Sequence, residues 1–382
     1  MSIFSELDLR AIRMSRALAA DAVQNAGNGH PGTAMALAPA AYLVFQRHLR
    51  HNPANPDWQG RDRFILSIGH SSMTLYTQLF LSGYGLTIED LKQFRKAGSL
   101  TPGHPEFGHT AGVETTTGPL GQGIANAVGL ALAAKHKQAV ASAGAFSDLF
   151  DSKVYVLAGD GCLQEGVAAE AASLAGHLAL NNLILIYDDN KISIDGSTDL
   201  SFTEDVAARF RAYGWQVLEV PKLTNGDIDV ELLDRSLTQA KQADRPVLIR
   251  MESTIGFPAP NFKGQARTHG AALGAAEVAA TKVELGLDPE VDFFVDDEAL
   301  AHAREIAAHG ARLESAWHER FAAWAVGNPV GLAAYQATTT LPDRKTLIAS
   351  LPTWTEGSKV ATRKASGAVI NALVASAPIL WG

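Results

Sequence analysis

Up to Met251, short apolar runs alternate with longer helical stretches, and this rhythm constrains the fold more than any other feature of the chain. Phe64–Ile68, Val154–Ala158, Leu183–Tyr187, Gln216–Val220 and Pro246–Met251 are bounded by Gly, Pro, Asn or Asp, which marks them as strands. The continuous apolar run Leu183-Ile184-Leu185-Ile186 is expected of a strand buried on both faces in a parallel sheet. Met73–Ser82, Gly121–Gln138, Val167–Leu180 and Val230–Gln242 carry helical patterning between them. Such alternation predicts βαβ units, hence an α/β fold with a doubly wound, mostly parallel sheet and helices on both faces. Ligands of these sheets collect beyond the carboxyl ends of strands. Chemistry is therefore expected just after Ile68, Ala158 and Tyr187.

Composition excludes several classes of function. With 47% hydrophobic and 19% charged positions the chain is globular rather than disordered. Its 40 acidic and 32 basic residues give a net charge of −8, which disfavours nucleic acid while leaving room for a local basic pocket. The longest apolar run, Ala34 to Phe45, contains Pro39 and is too short to span a bilayer. The N-terminus, with Glu6 and Asp8, lacks the basic-then-apolar pattern of a secretory signal. The single cysteine, Cys162, forbids an internal disulfide and suits a reducing compartment. No membrane and no nucleic-acid partner are expected, and the location read from these features is the cytoplasm.

Beyond Met251 the texture changes. Gly256 to Gly270 reads as a loop carrying Lys263 and Arg267, and Glu298 to Val326 as one long helix or a hairpin of two. From Ala337 to Lys359, Thr, Pro, Ser and Gly are frequent and periodicity is weak, as in an interdomain linker. Ala361 to Ala375 is helical again. Pro378-Ile379-Leu380-Trp381-Gly382 then reads as a buried strand that has just begun, so the chain is expected to be incomplete.

The most informative motif is Gly159-Asp160-Gly161 at the end of one strand, followed about thirty residues later by Tyr187-Asp188-Asp189-Asn190. A carboxylate at one carboxyl end then faces an amide at the next. Together they offer two oxygens to a hard cation such as Mg²⁺ or Ca²⁺, and the flanking glycines let backbone approach a diphosphate. Gly-Asp-Gly alone is equally an ordinary turn, and Asn190 alone an ordinary cap. A second motif, Thr115 to Gly123, opens a helix with the turn Gly118-Pro119-Leu120. Its unpaired N–H groups suit an anion, although Gly and Pro there also serve as plain helix-start signals. Thirdly, His30, His70, His104 and His269 each sit beside glycine in loop-like contexts. They lack the spacing of zinc ligands and suit proton transfer on a polyhydroxylated substrate. His48, His136, His302 and His318 fall in helical stretches and read as structural or exposed.

Several strings together carry a family likeness over essentially the whole chain. They are Gly29-His-Pro-Gly32, Leu66-Ser-Ile-Gly-His70, Thr101-Pro-Gly-His-Pro-Glu-Phe107 and Thr116-Thr-Gly-Pro-Leu-Gly-Gln-Gly123. Gly159-Asp-Gly-Cys-Leu-Gln-Glu-Gly166, Tyr187-Asp-Asp-Asn-Lys-Ile-Ser-Ile-Asp-Gly196 and Ala361-Thr-Arg-Lys364 complete the set. The chain closely resembles the transketolases, thiamine-diphosphate enzymes that move a two-carbon ketol unit from a ketose phosphate to an aldose phosphate. The resemblance implies a diphosphate-binding domain over residues 1–336, a linker over 337–360 and the truncated start of a pyrimidine-binding domain over 361–382.

It also implies roles. Asp160, Asn190 and the Ile192 carbonyl would bind the metal. Gly161, Asn190, His70, His269 and the Gly118, Pro119, Leu120 turn would hold the cofactor. His30, His104 and His269 would surround the ketose hydroxyls, with His30 and His269 moving protons, and Arg363 would bind the sugar phosphate. Glu165 would sit at the interface of a homodimer. The loop Phe257 to Gly270 departs from the family pattern around His269. A glutamate in the family's second domain is absent, so the chain alone is expected to be inactive. The alternatives are a non-catalytic fragment, or a dihydroxyacetone or 1-deoxyxylulose-5-phosphate synthase; Gly-Cys-Leu-Gln-Glu-Gly argues against the last.

Overall fold

The computed structural model describes residues 3–141 and 144–380. Five strands form one sheet: β1 (Arg63–Leu66), β2 (Val154–Gly159), β3 (Leu183–Asp189), β6 (Gln216–Val220) and β7 (Val247–Glu252). Their order is β1-β2-β3-β7-β6, and every neighbouring pair is parallel. A two-residue hairpin of β4 (Ile192–Ser193) and β5 (Gly196–Ser197) projects after β3. The expected parallel α/β sheet is therefore present. All of β2 and β3 is buried, including Asp188 and Asp189 at the end of β3. This is why the Leu183 run shows no alternation of polar and apolar residues.

The helices follow in chain order: α1 (Glu6–Ala26), α2 (Pro31–Ala36), α3 (Ala38–Leu43), α4 (Ser72–Ser82), α5 (Ile88–Lys92) and α6 (Gln122–Ala141). After β2 come α7 (Asp160–Gln164) and α8 (Gly166–His177), with α9 (Val206–Ala212), α10 (Val230–Ala240) and α11 (Ala275–Glu284) further on. The last are α12 (Asp297–Gly327), α13 (Pro329–Thr339), α14 (Arg344–Ser350) and α15 (Thr362–Ser376). A capping box starts α1: the Ser5 hydroxyl accepts from the Asp8 N–H, and the Asp8 carboxylate accepts from the Ser5 N–H. The apolar stretch Ala34 to Phe45 is buried and mostly helical, and no described helix is long and apolar enough to cross a membrane.

The chain divides into two compact units, 1–132 with 152–316 and 133–151 with 317–382. The first holds the sheet and one large apolar core from Phe4 to Ala303. In it Lys282 on α11 is buried and pairs with the equally buried Asp21 on α1 at 2.8 Å. His48 bonds Asp234 at 2.9 Å, a structural role as expected. The second unit packs around aromatic rings. Phe150 lies edge-on to Trp324 at 5.0 Å, Trp317 stacks on Phe321 at 4.9 Å, and the Trp317 indole N–H donates to the Leu149 carbonyl. The stretch read as an interdomain linker contains α14, whose N-cap Asp343 accepts from the N–H groups of Lys345 and Thr346. Pro378, Ile379 and Leu380 form a turn rather than a strand, and Trp381 and Gly382 lie outside the described residues.

Candidate active site

A cavity of about 400 Å³ opens where β1, β2 and β3 end, as the carboxyl-edge rule anticipates. The three expected positions converge there: Ile68 and His70 beyond β1, Gly159 at the end of β2 with Asp160 and Gly161 beyond it, and Asp188 near the end of β3 with Asn190, Ile192 and Ser193 beyond it. Sequence-distant loops complete it with His30, His104, Gly118, Leu120, Glu165 and His269. Pro119 is exposed and is not among the lining residues.

The floor is acidic. Asp160 is 3% exposed, and its carboxylate accepts from the Tyr187 hydroxyl at 2.6 Å and the Lys191 N–H at 3.1 Å. Burial pushes its pKa up to about 6. Asp189, by contrast, is paired with Arg250 at 2.6 Å and Lys191 at 2.7 Å. These contacts hold its carboxyl below the usual range against the opposing effect of burial. Asp188 is wholly buried, and burial lifts it to about 7. It accepts from the Ser253 hydroxyl at 2.5 Å and the Asn190 amide at 2.7 Å, while the Asn190 amide oxygen accepts from the Ile192 N–H at 2.9 Å.

Among the described residues no cationic side chain forms an ion pair with Asp160. Lys191 acts on it only from beyond ion-pair distance, and a buried carboxylate outside any ion pair is costly, so a bound cation relieves it. No three His, Cys, Asp or Glu side chains converge on a metal among the described residues. An ion here would thus need other oxygens, which the Asn190 amide, the Ile192 carbonyl and a diphosphate can supply. The residues fit a hard divalent cation.

The wall above is imidazole. The His30 and His70 rings lie 4.8 Å apart, His70 and His269 5.1 Å, and His30 and His269 5.7 Å. Burial, reinforced by neighbouring positive charge, lowers His30 to about 4 and His70 to about 3. Burial also lowers His269, and burial with the nearby Arg95 lowers His104. All four are consequently neutral at pH 7. The Nδ1 atoms of His30 and His269 are buried with no hydrogen-bond partner among the described residues, while both rings line the cavity.

Backbone closeness shapes the cradle. A Cβ on Gly69 would lie 2.5 Å from Thr117 Oγ1 and 2.7 Å from Gly118 N, and one on Gly161 would lie 2.8 Å from Leu120. Only glycine lets the loops after β1 and β2 approach the Gly118 turn this closely. Glu165 is exposed at the cavity as the N-cap of α8, and Val167 and Leu174 on that helix are also exposed. Arg363 is exposed on α15, in the second unit, and is not among the lining residues.

Sequence reasoning missed Asp188, Ser253 and Tyr187. Asp188 and Tyr187 lay inside a motif already singled out, but nothing local marked Ser253 as a partner of Asp188.

Residues 7–342 match the family model described as transketolase, thiamine diphosphate binding domain. The transketolase of Mycobacterium leprae is 49% identical over 99% of this chain and 54% of its own length, and that of Geobacillus stearothermophilus 48% identical over 97% and 55%. Transketolase from Pichia stipitis in complex with sedoheptulose-7-phosphate superposes with a TM-score of 0.87 at 44% identity, covering 98% of this chain and 55% of that one. The chain thus spans about half the length of the curated relatives it matches. With a parallel sheet, a glycine-framed cavity at its carboxyl edge and a match to the thiamine-diphosphate-binding domain over most of its length, the chain belongs to the transketolase family.

Proposed function

We propose that the cavity holds the diphosphate end of thiamine diphosphate through Mg²⁺ or Ca²⁺, and that the protein transfers a two-carbon ketol unit from a ketose phosphate to an aldose phosphate. The observation that carries this reading is Asp160: a buried carboxylate in no ion pair among the described residues, lining the same cavity as Asn190 at the carboxyl ends of β2 and β3. Asp160, Asn190 and the Ile192 carbonyl would hold the ion. Gly161, Gly118, Pro119, Leu120, His70 and His269 would hold the cofactor's diphosphate and ring. When bound, the cofactor supplies the electron sink for breaking a carbon–carbon bond next to a carbonyl.

The chain's own part is binding, orientation and proton handling. Both His30 and His269 line the cavity with imidazoles that burial holds below the ordinary histidine pKa, so either can accept a proton from a substrate hydroxyl and return it. His104, exposed at the cavity mouth, would bind a second hydroxyl. Arg363 would recognise the sugar phosphate, for which a planar guanidinium is suited. The Pichia stipitis relative in complex with sedoheptulose-7-phosphate supports a sugar phosphate as substrate. Exposed Val167, Leu174 and the C-cap Leu178, spaced as one stripe along α8, which Glu165 precedes, support a homodimer formed over this face, and the buried Cys162 fits the cytoplasm.

The test is product mass from a ketose phosphate and an aldose phosphate, measured on the full-length protein, with and without thiamine diphosphate and Mg²⁺. Transfer should require both, and His30→Ala or His269→Ala should each lower kcat/KM by about 10²-fold or more. Transfer by either variant at the unaltered rate would remove that histidine from the proton path.

A further inference from the structure

The Asn190 side chain is gripped from two sides. Its Nδ2 donates to Asp188 Oδ2 at 2.7 Å, and its Oδ1 accepts from the Ile192 N–H at 2.9 Å. Asp188 is itself anchored from another strand, because Ser253, just beyond β7, donates its hydroxyl to Asp188 Oδ1 at 2.5 Å. Asp188 and Ser253 are 0% and 2% exposed, so water cannot replace either contact. The two ends of a carboxamide are nearly equal in shape and opposite in chemistry: only the oxygen can ligate a cation. With its Oδ1 taken by the Ser253 hydroxyl, Asp188 offers Oδ2 to the NH₂ end of the amide and leaves the amide oxygen facing away from it.

We propose that Asp188 and Ser253 are positioning residues which fix the Asn190 amide with its oxygen toward the ion, an inference that rests on the cation site described above. Asp188 touches the ion through no atom of its own; it acts through Asn190. The Ser253 hydroxyl holds the carboxylate so that its second oxygen stays aimed at the amide. The contact ties the end of β7 to the end of β3, and so makes the geometry of one metal ligand depend on two strands. Such supporting contacts are commonly worth 10–100-fold in metal affinity.

The proposal separates from a purely electrostatic role of Asp188. An amide at 188 can keep its oxygen on Asn190 Nδ2 while its NH₂ donates to the Ser253 hydroxyl. Orientation then survives although the charge is gone. The experiment is Mn²⁺ binding to the full chain with saturating thiamine diphosphate, followed by electron paramagnetic resonance of the free ion, with circular dichroism and melting as controls. Expected are Asp188→Ala weaker by about tenfold or more and Asp188→Asn within about threefold of the unaltered chain. Equal losses in the two variants would assign Asp188 a charge role and overturn the proposal, as would unchanged affinity in Asp188→Ala.

If Asp188→Ala does not fold, the pair Asp188→Asn and Asp188→Asn/Ser253→Ala decides. Without the hydroxyl nothing sorts the amide at 188, and affinity should fall at least about fivefold below the single variant. A lowered melting temperature with unmoved Mn²⁺ affinity would make Ser253 merely structural and overturn its part. Absence of Mn²⁺ binding by the unaltered chain would overturn the cation site itself, and the inference with it.

Discussion

Replacing Gly69 by alanine probes how closely the loops of the cavity must approach. The added methyl would sit 2.5 Å from Thr117 Oγ1, 2.7 Å from Gly118 N and 2.8 Å from Thr117 C. Ordinary contact begins near 3.4 Å, so the segment carrying His70 and the Gly118 turn must separate by about 1 Å. Two of the three obstructing atoms belong to backbone, so no rotamer change relieves the clash. Overpacking of this kind costs about 1–3 kcal/mol of stability, a melting shift of a few degrees for a chain this size. The larger consequence is for the ligand, because a misplacement of about 1 Å in a positioning group can cost about 10²-fold. Calorimetric titration with thiamine diphosphate and Mg²⁺ should show affinity reduced at least about tenfold, with the fold retained by circular dichroism. Unchanged affinity would refute the claim that the glycine contact sets the cradle.

Other perturbations report on the scaffold. Lys282→Ala leaves Asp21 buried without its cation, and urea unfolding should show a loss of about 3 kcal/mol; a loss below about 1 kcal/mol would mean that water repairs the pair. His51 bonds the Phe45 carbonyl and the Tyr84 hydroxyl, and burial lowers its pKa from 6.5 to about 4. The unfolded chain therefore takes up this proton first as pH falls, so stability is full above pH 6.5 and is lost between about 6.5 and 4. The loss is roughly 3 kcal/mol from this residue, and His51→Gln should flatten the pH dependence; an unchanged slope would exonerate it.

The parts that could be read from sequence are those set by local chemistry. Gln216–Val220 is a strand over its expected span, and the other four strands begin and end within two residues of theirs, because flanking turn residues set the limits. β3 runs on to Asp189, past the expected Tyr187, since Ser253, Asn190 and Arg250 satisfy its terminal carboxylates. Those partners lie two to more than sixty residues away, and only the fold brings Ser253 and Arg250 near. The capping box that opens α1 is local, and an alternation argument built on strands passed over it. The helix α14 sits in polar, Thr-rich sequence where one Asp cap rather than an apolar stripe starts it.

At the site, Gly159-Asp160-Gly161 and Asn190 announced themselves by spacing. The meeting of His30, His70 and His269, with ring centroids within 5.7 Å of one another, depends on three separate loops reaching one edge of the sheet. Glycine neighbours marked each histidine as loop-borne. Only the topology makes them a wall.

The central claim is that Asp160 needs a cation, and that the cation binds the diphosphate. Calorimetric titration of thiamine diphosphate into the chain, with Mg²⁺ and then with excess chelator, tests it most directly, repeated for Asp160→Ala. Binding should appear with Mg²⁺, weaken by at least about tenfold under chelator, and weaken equally in Asp160→Ala with or without the metal. Equal affinity in all four titrations would contradict the account.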